Sequence, residues 1–236
     1  DNEAKTAYQH ALDNSKSKTI LVEEYMQGEE VSVETLTVNG ETHVIAITDK
    51  ITTGAPHFIE HAHKIQSNKS EIIKSDIEKV AIAANKALSI ESGPSHTEIM
   101  VTSEGPKIVE IGARLGGDFI TSHLVKYATG IDIIEAYLKQ SVGEPLANLK
   151  DHLNKGCAVH FIQSKPGVLK TANIPEHILN HPQVIEVGLT AKVGDVLGEA
   201  NSSTSRIGHI ICQADDSDKA LELCEELIKE IEIVIV

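Results

Sequence analysis

The sequence is short of cysteine, of positive charge and of long apolar runs. Its three cysteines form no Cys-x-x-Cys pair, which argues against a zinc ribbon or a disulfide framework and favours reduced thiols. The 21 lysines and arginines stand against 35 aspartates and glutamates, so a basic groove for nucleic acid is not expected. No apolar stretch approaches the roughly 20 residues that a membrane-spanning helix needs. We therefore expect a cytoplasmic protein that binds neither nucleic acid nor membrane.

Two common sequence features are also missing. Neither Gly-x-x-x-x-Gly-Lys nor Gly-x-Gly-x-x-Gly, the glycine-rich loops that cradle phosphates, occurs in the chain. The N-terminal residues are polar with helical spacing, unlike a signal peptide, and they do not begin with methionine. We expect the 236 residues to come from the middle of a longer chain.

The hydrophobic pattern predicts an α+β fold. Hydrophobic residues make up 41% of the chain, which is enough for the core of one large domain or two small ones. Asn39-Gly40 between two alternating runs is typical of a β-hairpin turn, because both turn residues need positive φ. After Pro145 the segments become short and strand-like, so we place a boundary at 146–155. The prediction is an antiparallel sheet faced by helices over 1–145, followed by a smaller β-rich subdomain over 146–236.

The individual elements are predicted from periodicity and capping. Apolar residues at helical spacing predict helices over 3–13, 131–140 and about 217–231. A fourth helix is predicted to start near Ser75, because Ser75 and Glu78 have the spacing of a capping box. Strand-like runs lie at 19–26, 30–38, 41–48, 96–112, 156–163, 184–199 and 206–213. Residues 49–70 lack a clear period and are predicted to be a long loop, a length that is usually functional or disordered.

A predicted hairpin at 96–112 brings two carboxylates together. If Ser103-Glu104-Gly105 is a three-residue turn with glycine last, Glu98 lies directly across from Glu110, with Cβ atoms roughly 5 Å apart. Like charges so close are destabilising unless a cation lies between them or one is protonated. Paired carboxylates suit a hard divalent ion such as magnesium. The alternative is an amphipathic hairpin whose acids simply face solvent, and a one-residue slip would put them on opposite faces.

Arg114 and Gly116-Gly117 follow the second acid closely. Arginine suits the recognition of carboxylate or phosphate groups, and two glycines let backbone N–H groups approach an anion. Together with the acid pair, these residues indicate a site for a nucleotide and magnesium. The alternative for the two glycines is a plain turn from strand to helix.

With these residues identified, 20–145 resembles the C-terminal half of an ATP-grasp domain. The family's hinge strand has the pattern Glu-x-aromatic-aliphatic-x-Gly-x-Glu, which residues 23–30 match. The stretch 93–138 is similar to the branch that contains L-amino-acid ligases, and also to the carbamoyl-phosphate synthase large chain. The resemblance implies that the hinge binds ATP, with the adenine against Glu23 and the backbone of Glu24, Tyr25 and Met26, and the ribose hydroxyls against Glu30.

The same resemblance assigns the other candidates. It implies joining of a small carboxylate to an amine with ATP and magnesium, or manganese, through an acylphosphate. Many members carry Asn two residues after the second acid, where this chain has Gly112, so a metal ligand is missing. Lys50 is either a ligand of the γ-phosphate or a surface lysine. The implied roles are metal binding by Glu98 and Glu110, contact with the phosphate or a substrate carboxylate by Arg114, and backbone contacts to phosphate by Gly116 and Gly117.

The resemblance also limits what this chain is expected to do alone. The family's earlier lobe supplies lysines and a phosphate loop that are not found here, so we expect a fragment with half an ATP site and no activity by itself. A homodimer is one expected assembly. Two alternatives stay open, namely another ATP-grasp enzyme of the carbamoyl-phosphate synthase type, and an inactive binding or oligomerisation module.

A histidine-rich segment is the remaining candidate. His57, Glu60, His61 and His63 form either a metal cluster, although the spacing is not His-Glu-x-x-His, or a loop that closes over the amino substrate, or an exposed loop. Substrate specificity is expected to lie in residues 49–66, in the loop 116–121 and in the N-terminal part of the parent that is not found here. Further residues without an assigned contact are His96 and His123, expected to be structural or to support the acids, and Arg206, which could face the site.

Overall fold

The structure is a computed structural model that describes residues 2–55, 58–150 and 152–236. A π-helical turn, Ile120–Leu124, leads directly into the third helix. None of the described helices is long and apolar enough to cross a membrane. The helices are α1 (Asn2–Asn14), α2 (Glu71–Ala87), α3 (Val125–Thr129), α4 (Ile133–Ser141), α5 (Glu176–Leu179) and α6 (Ser217–Leu227). The strands are β1 (Gly28–Val38), β2 (Glu41–Thr52), β3 (Glu60–Ile65), β4 (Gly93–Thr102), β5 (Gly105–Gly112), β6 (Gly156–Gln163), β7 (Gly167–Asn173), β8 (Val184–Leu189), β9 (Val196–Leu197), β10 (Arg206–Ala214) and β11 (Glu232–Ile235).

Within the described residues, eight strands form one sheet in the order β5-β4-β1-β2-β3-β6-β10-β8, and every neighbouring pair is antiparallel. Strand β3 joins the two parts of this sheet, since it pairs with β2 on one side and with β6 on the other. A small second sheet has the order β11-β7-β9. The predicted α+β fold is confirmed. The main sheet runs across the boundary placed at 146–155, and the division into two subdomains stays a prediction.

Helices cover the sheet through apolar side chains. Ile77 and Ala81 of α2 are fully buried in one cluster with Val31, Val33 and Ile99 of the sheet. The π-helical turn, α3 and α4 contribute to a second cluster, and α6 packs on β6 and β10 in a third. Burying a valine or isoleucine side chain stabilises a fold by about 1.5–3 kcal/mol. These clusters hold the central strands, and therefore the side chains on them, in fixed positions.

The predicted β1–β2 hairpin is confirmed. Val38 pairs with Glu41, and the two residues between them, Asn39 and Gly40, have φ of +51° and +81°. Both values lie in the left-handed region that a two-residue hairpin turn of this kind needs. The Asn-Gly pair therefore fixes the register of the two longest strands next to the candidate site.

Three element predictions are wrong, and a fourth holds only in part. Residues 19–26 form no strand, because they have no neighbouring strand among the described residues and leave Leu21 and Val22 exposed. Residues 49–70 are not a loop, since they contain the end of β2 and the whole of β3. Helix α2 begins at Glu71, where the Ser70 side chain accepts a hydrogen bond from the Ile73 N–H, and not near Ser75. The predicted strand at 184–199 is divided into β8 and β9, while β7 and β11 were not predicted.

Candidate functional site

The β4–β5 hairpin places Glu98 and Glu110 directly opposite each other, as predicted. The predicted three-residue turn is nevertheless wrong, because Thr102 pairs with Gly105 and leaves a two-residue loop. Continued without interruption, that register would bring Val109 opposite Glu98. A bulge next to Glu98 absorbs the extra residue and restores the pairing of the two acids.

The Lys50 ammonium lies at the centre of the site. It donates hydrogen bonds to Glu30 and, at 2.8 Å, to Oε1 of Glu98, while Oε1 of Glu60 lies 3.6 Å away. The Lys50 side chain is only 5% exposed. Burial disfavours the charged ammonium, but the hydrogen bonds to Glu30 and Glu98 outweigh it and raise the pKa of Lys50 above its ordinary value. Lys50 is thus a buried charged group and not the surface lysine considered from the sequence.

His96 connects Glu98 to a second buried carboxylate. Nδ1 of His96 lies 2.5 Å from Oε1 of Glu34, and Nε2 lies 3.6 Å from Oε1 of Glu98. Burial opposes the imidazolium, but the hydrogen bonds to Glu34 and Glu98 raise the pKa of His96 to about 9. The hydrogen bond to His96 lowers the pKa of Glu98, and burial of the acid opposes this. With the hydrogen bond to Lys50 added, the pKa of Glu98 falls to about 2. At neutral pH Glu98 is therefore a carboxylate between two cations.

The glycine turn, which is Gly116-Gly117, closes over the Glu34–His96 pair. A Cβ atom on Gly116 would lie 2.8 Å from both carboxylate oxygens of Glu34 and from Nδ1 of His96, closer than real Cβ contacts come. A Cβ atom on Gly117 would meet nothing within 4 Å. Gly116 is therefore required by a close approach, whereas Gly117 borders open space.

The same face of the sheet carries buried polar atoms without a partner. Ser32 pairs with both Glu98 and Thr48 across the sheet. The hydroxyl oxygens of Ser32 and Thr48, and Oε2 of Glu34, have no hydrogen-bond partner within the described part of the chain. Orphaned buried groups are rare in folded proteins and indicate a missing water, ion or ligand. This face is therefore suited to hold a polar ligand.

Glu110 and Arg114 lie apart from the buried group. Nη2 of Arg114 lies 3.6 Å from Oε1 of Glu110, and the two side chains are 52% and 59% exposed. Arg114 folds back over Gly112, where a Cβ atom would lie 3.2 Å from its Cγ and Nε atoms. The two predicted metal ligands thus face each other across the hairpin but have different cationic partners. Among the described residues, no group of three or more His, Cys, Asp or Glu side chains is arranged to hold a metal ion.

A cleft of about 820 Å³ runs along the predicted hinge. The hinge segment, residues 23–27, has no regular secondary structure, and its Tyr25 is 71% exposed. Lys50 lines the cleft and also binds Glu98, so it connects the cleft to one acid of the pair. All the residues predicted to meet adenine and ribose line it, namely Glu23, Glu24, Tyr25, Met26 and Glu30.

Two further lysines line the cleft and were not predicted. Nζ of Lys69 lies 2.7 Å from Oε2 of Glu29 and 3.4 Å from Oδ1 of Asp49, and Lys64 pairs with Asp218. The lysine side chains are 8% and 10% exposed. The predicted loop over 49–70 gave no reason to place these lysines in the site. In the structure, the pairing of β2 with β3 sets Asp49 opposite Lys64.

The histidine-rich segment is divided by the fold. His57 lies outside the described residues. The His61 ring lies 5.6 Å from the ring of His160, whereas Nε2 of His63 lies 3.3 Å from Oδ2 of Asp118. Since Glu60–Ile65 is a strand inside the main sheet, this part of the segment is not a closing loop. The described histidines also belong to no metal cluster.

The loop after the glycine turn contacts β10. Nη1 of Arg206 donates to Oδ2 of Asp118 at 2.7 Å, and Nη2 donates to the carbonyl oxygen of Glu60 at 3.0 Å and to its Oε2 at 3.1 Å. The guanidinium carbon lies 3.8 Å from the centre of the Phe161 ring. The sequence named Arg206 as a candidate to face the site, and the structure places it against this loop.

The comparisons with known proteins agree with this geometry. Residues 1–122, more than half of the 236 residues, match the family model described as the ATP-grasp domain. The chain belongs to the ATP-grasp family. Residues 160–236 of this ATP-grasp protein match a second model, described as L-amino acid ligase C-terminal domain 2. The family predicted from the hinge, the acid pair and Arg114 is therefore confirmed.

Individual relatives of this ATP-grasp chain include ligases. Dapdiamide A synthase of Enterobacter agglomerans is 25% identical over 214 residues, covering 86% of this chain and 49% of that protein. The crystal structure of L-amino acid ligase from Bacillus licheniformis has a TM-score of 0.80 at 25% identity, covering 90% of this chain and 55% of that chain. The chain spans about half the length of the curated relatives it matches.

A more distant structure shows the fold alone. It is the biotin carboxylase domain dimer of the Hydrogenobacter thermophilus 2-oxoglutarate carboxylase in complex with MgADP, ADP and bicarbonate. The TM-score is 0.75 at 15% identity, with 100% of this chain and 52% of that chain covered. The fold shared with this structure thus covers the whole chain.

Proposed function

We propose that this chain is part of a ligase that joins a small carboxylate to an amine, using ATP and magnesium. The observation that carries the proposal is Lys50, which binds Glu30 in the hinge cleft and Glu98 in the acid pair at the same time. A nucleotide lying along the cleft would therefore reach the acids with its phosphates. The match of residues 160–236 to an L-amino acid ligase domain supports amino acids as the substrates.

The hinge would hold the nucleoside end of ATP. Residues 24–26 line the cleft without regular secondary structure and have no partner strand among the described residues, so their backbone polar groups would be accessible to the adenine edge. Glu30 would contact the ribose hydroxyls with the oxygen that Lys50 leaves accessible. Lys50, Lys64 and Lys69 would provide the positive charge that phosphates need.

The residues present fit a magnesium ion that takes only part of its ligands from the protein. Glu98 and Glu110 offer hard carboxylate oxygens, and magnesium commonly keeps several waters and phosphate oxygens as ligands. Gly112 offers no side-chain oxygen where many family members carry Asn. When bound, magnesium or manganese would neutralise charge on the phosphates.

The reaction itself would rest on positioning and charge. A carboxylate oxygen of the first substrate attacks the γ-phosphorus, and the bond from the γ-phosphorus to the oxygen that bridges it to the β-phosphate breaks. The products of this step are ADP and an acylphosphate. The amine nitrogen then attacks the carbonyl carbon and expels phosphate, with one amine proton passing to solvent. Arg114, with half of its side chain exposed, would be accessible to the transferring phosphate or the substrate carboxylate. Backbone N–H groups at Gly116 and Gly117 would stabilise the same charge.

The test is ATP turnover by the full-length protein with pools of amino acids and amines. Glu110→Gln should lower ADP release about 100-fold or more, because a metal ligand and its charge are lost. Glu110 is exposed, so the free energy of unfolding should hardly change. Glu104→Gln is the matched control, since Glu104 is an exposed acid at the turn of the same hairpin and pairs only with Lys107 among the described residues.

Two results would contradict the proposal. One is a wild-type protein that releases no ADP with any pool of amino acids and amines. The other is an E110Q variant that keeps full turnover. The isolated 236 residues are expected to be inactive, and a homodimer stays a prediction that the same preparation tests by its mass in solution.

A further inference from the structure

An ion pair ties the glycine turn to the C-terminal part of the chain. Asp118 follows Gly117 directly, and its Oδ2 accepts a hydrogen bond from Nη1 of Arg206 at 2.7 Å. Arg206 is the first residue of β10, within the stretch that matches the L-amino acid ligase C-terminal domain. Asp118 lies within the stretch that matches the ATP-grasp domain. The pair therefore joins two regions that belong to different family models.

The arginine of this pair is held at both Nη atoms and on one face of its guanidinium. Its side chain is 9% exposed, its second Nη atom donates to Glu60, and its guanidinium lies over the Phe161 ring at 3.8 Å. Stacking on an aromatic face and bidentate donation both restrict an arginine to one orientation. Arg206 is therefore held in one orientation, and its hydrogen bond to Asp118 fixes the position of that side chain.

The loop after the glycine turn has a conformation that needs such a contact. Asp118 and Phe119 have φ of +50° and +65°, consecutive left-handed residues that are not glycine. The Phe119 ring lies 4.3 Å from the ring of His209 on β10. Asp118 and Phe119, the two residues with left-handed φ, therefore both contact β10. Without these contacts the backbone would relax toward ordinary φ values, and the N–H groups of Gly116 and Gly117 would move with it.

We propose that Asp118 and Arg206 are positioning residues, which hold the Gly116–Phe119 loop in the conformation used for catalysis. The inference rests on the proposed ligase function, in which this loop donates N–H groups to phosphate. It assigns the C-terminal part a role in the site itself. Neither residue needs to touch a substrate for this role.

The test measures the loop and the reaction separately, in the full-length protein. Asp118→Asn keeps the size of the side chain and removes its charge. Without ligands, amide hydrogen exchange at residues 116–121 should become about tenfold faster, and kcat/KM for amino-acid-dependent ADP release should fall about tenfold. In an R206Q background the same D118N change should have a clearly smaller effect on both quantities, because Arg206 is already gone and only the contact with His63 is left to lose.

A matched control is available in a second ion pair. Lys155 and Asp215 lie 2.8 Å apart on the exposed surface, so Asp215→Asn removes the same charge without touching the loop and should change neither quantity. Equal losses of activity from D118N with and without Arg206 would overturn the proposal, as would unchanged exchange at 116–121. If faster exchange occurs in a protein that never turns over ATP, the loop inference stands and the ligase proposal fails.

Discussion

Gly116 lies where any side chain would meet two buried groups. Its alanine variant would bring a methyl group to 2.8 Å from the Glu34 carboxylate and from Nδ1 of His96, and both side chains are buried. Overpacking of this kind destabilises proteins by about 1–3 kcal/mol. We therefore predict that Gly116→Ala lowers the free energy of unfolding by that amount, measured by urea denaturation.

Gly117→Ala is the internal control for this prediction. The neighbouring glycine has nothing within 4 Å of its Cβ position, so its alanine variant should unfold within about 0.5 kcal/mol of the wild type. Equal stability of G116A and G117A would mean that the Glu34–His96 pair does not fill the space beneath the turn.

The predicted pairing of Glu98 with Glu110 is correct, although the reason for it is incomplete. Glu98 and Glu110 were paired from a three-residue turn, yet the turn has two residues and a bulge supplies the missing step. Bulges leave little trace in a single sequence, because they are stabilised by contacts on neighbouring strands. The pairing of Glu98 with Lys50 was similarly out of reach, since their strands meet only through β1.

At the scale of elements, the start of α2 is the clearest error. Ser75-x-x-Glu78 has the sequence of a capping box, but Ser70 makes the capping contact, with the Ile73 N–H as donor. The helix continues upstream because Glu71 fits its first turn, where a carboxylate faces the positive end of the helix dipole. The segment before Ser75 was interpreted as loop because it shows no clear apolar period.

The two serines give a direct test of where this helix begins. Ser70→Ala should lower the free energy of unfolding by about 1 kcal/mol, because it removes an N-cap. Ser75→Ala lies on an exposed position inside the helix and should be neutral or slightly stabilising, given the higher helix propensity of alanine. Urea denaturation of both variants decides the matter, and the reverse order of stabilities would place the helix start at Ser75.

Strand β3 was missed for a related reason. His63 and Lys64 are buried there, with Asp118 as the partner of one and Asp49 and Asp218 as partners of the other. Buried polar residues such as these break the apolar alternation by which strands are recognised. Their partners lie far away in sequence, so only the assembled sheet explains why these residues are tolerated.

Strand β3 also determines how the molecule as a whole should unfold. Since it pairs with β2 and β6, the parts before and after residue 146 share one sheet. We predict that both parts unfold in one transition. The sequence offers a separate probe for each part, because its four tyrosines all precede residue 146 and its three cysteines all follow it.

The measurement compares two urea midpoints in the same protein. Tyrosine near-ultraviolet circular dichroism follows the first part, and labelling of the three buried thiols follows the second. The two midpoints should coincide, as they do for a cooperative single unit. Thiol labelling at clearly lower urea than the tyrosine change would show that residues 146–236 open independently, as the predicted subdomain boundary implies.

The lysines of the cleft have a consequence for any anion that enters it. Lys50, Lys64 and Lys69 are at most 10% exposed, and each already binds carboxylates of the protein. An incoming phosphate group therefore competes with internal acids, and its binding is an exchange of partners. The acids released by that exchange, Glu98 among them, become available to a divalent cation. Anion and cation would then each make the other's binding more favourable.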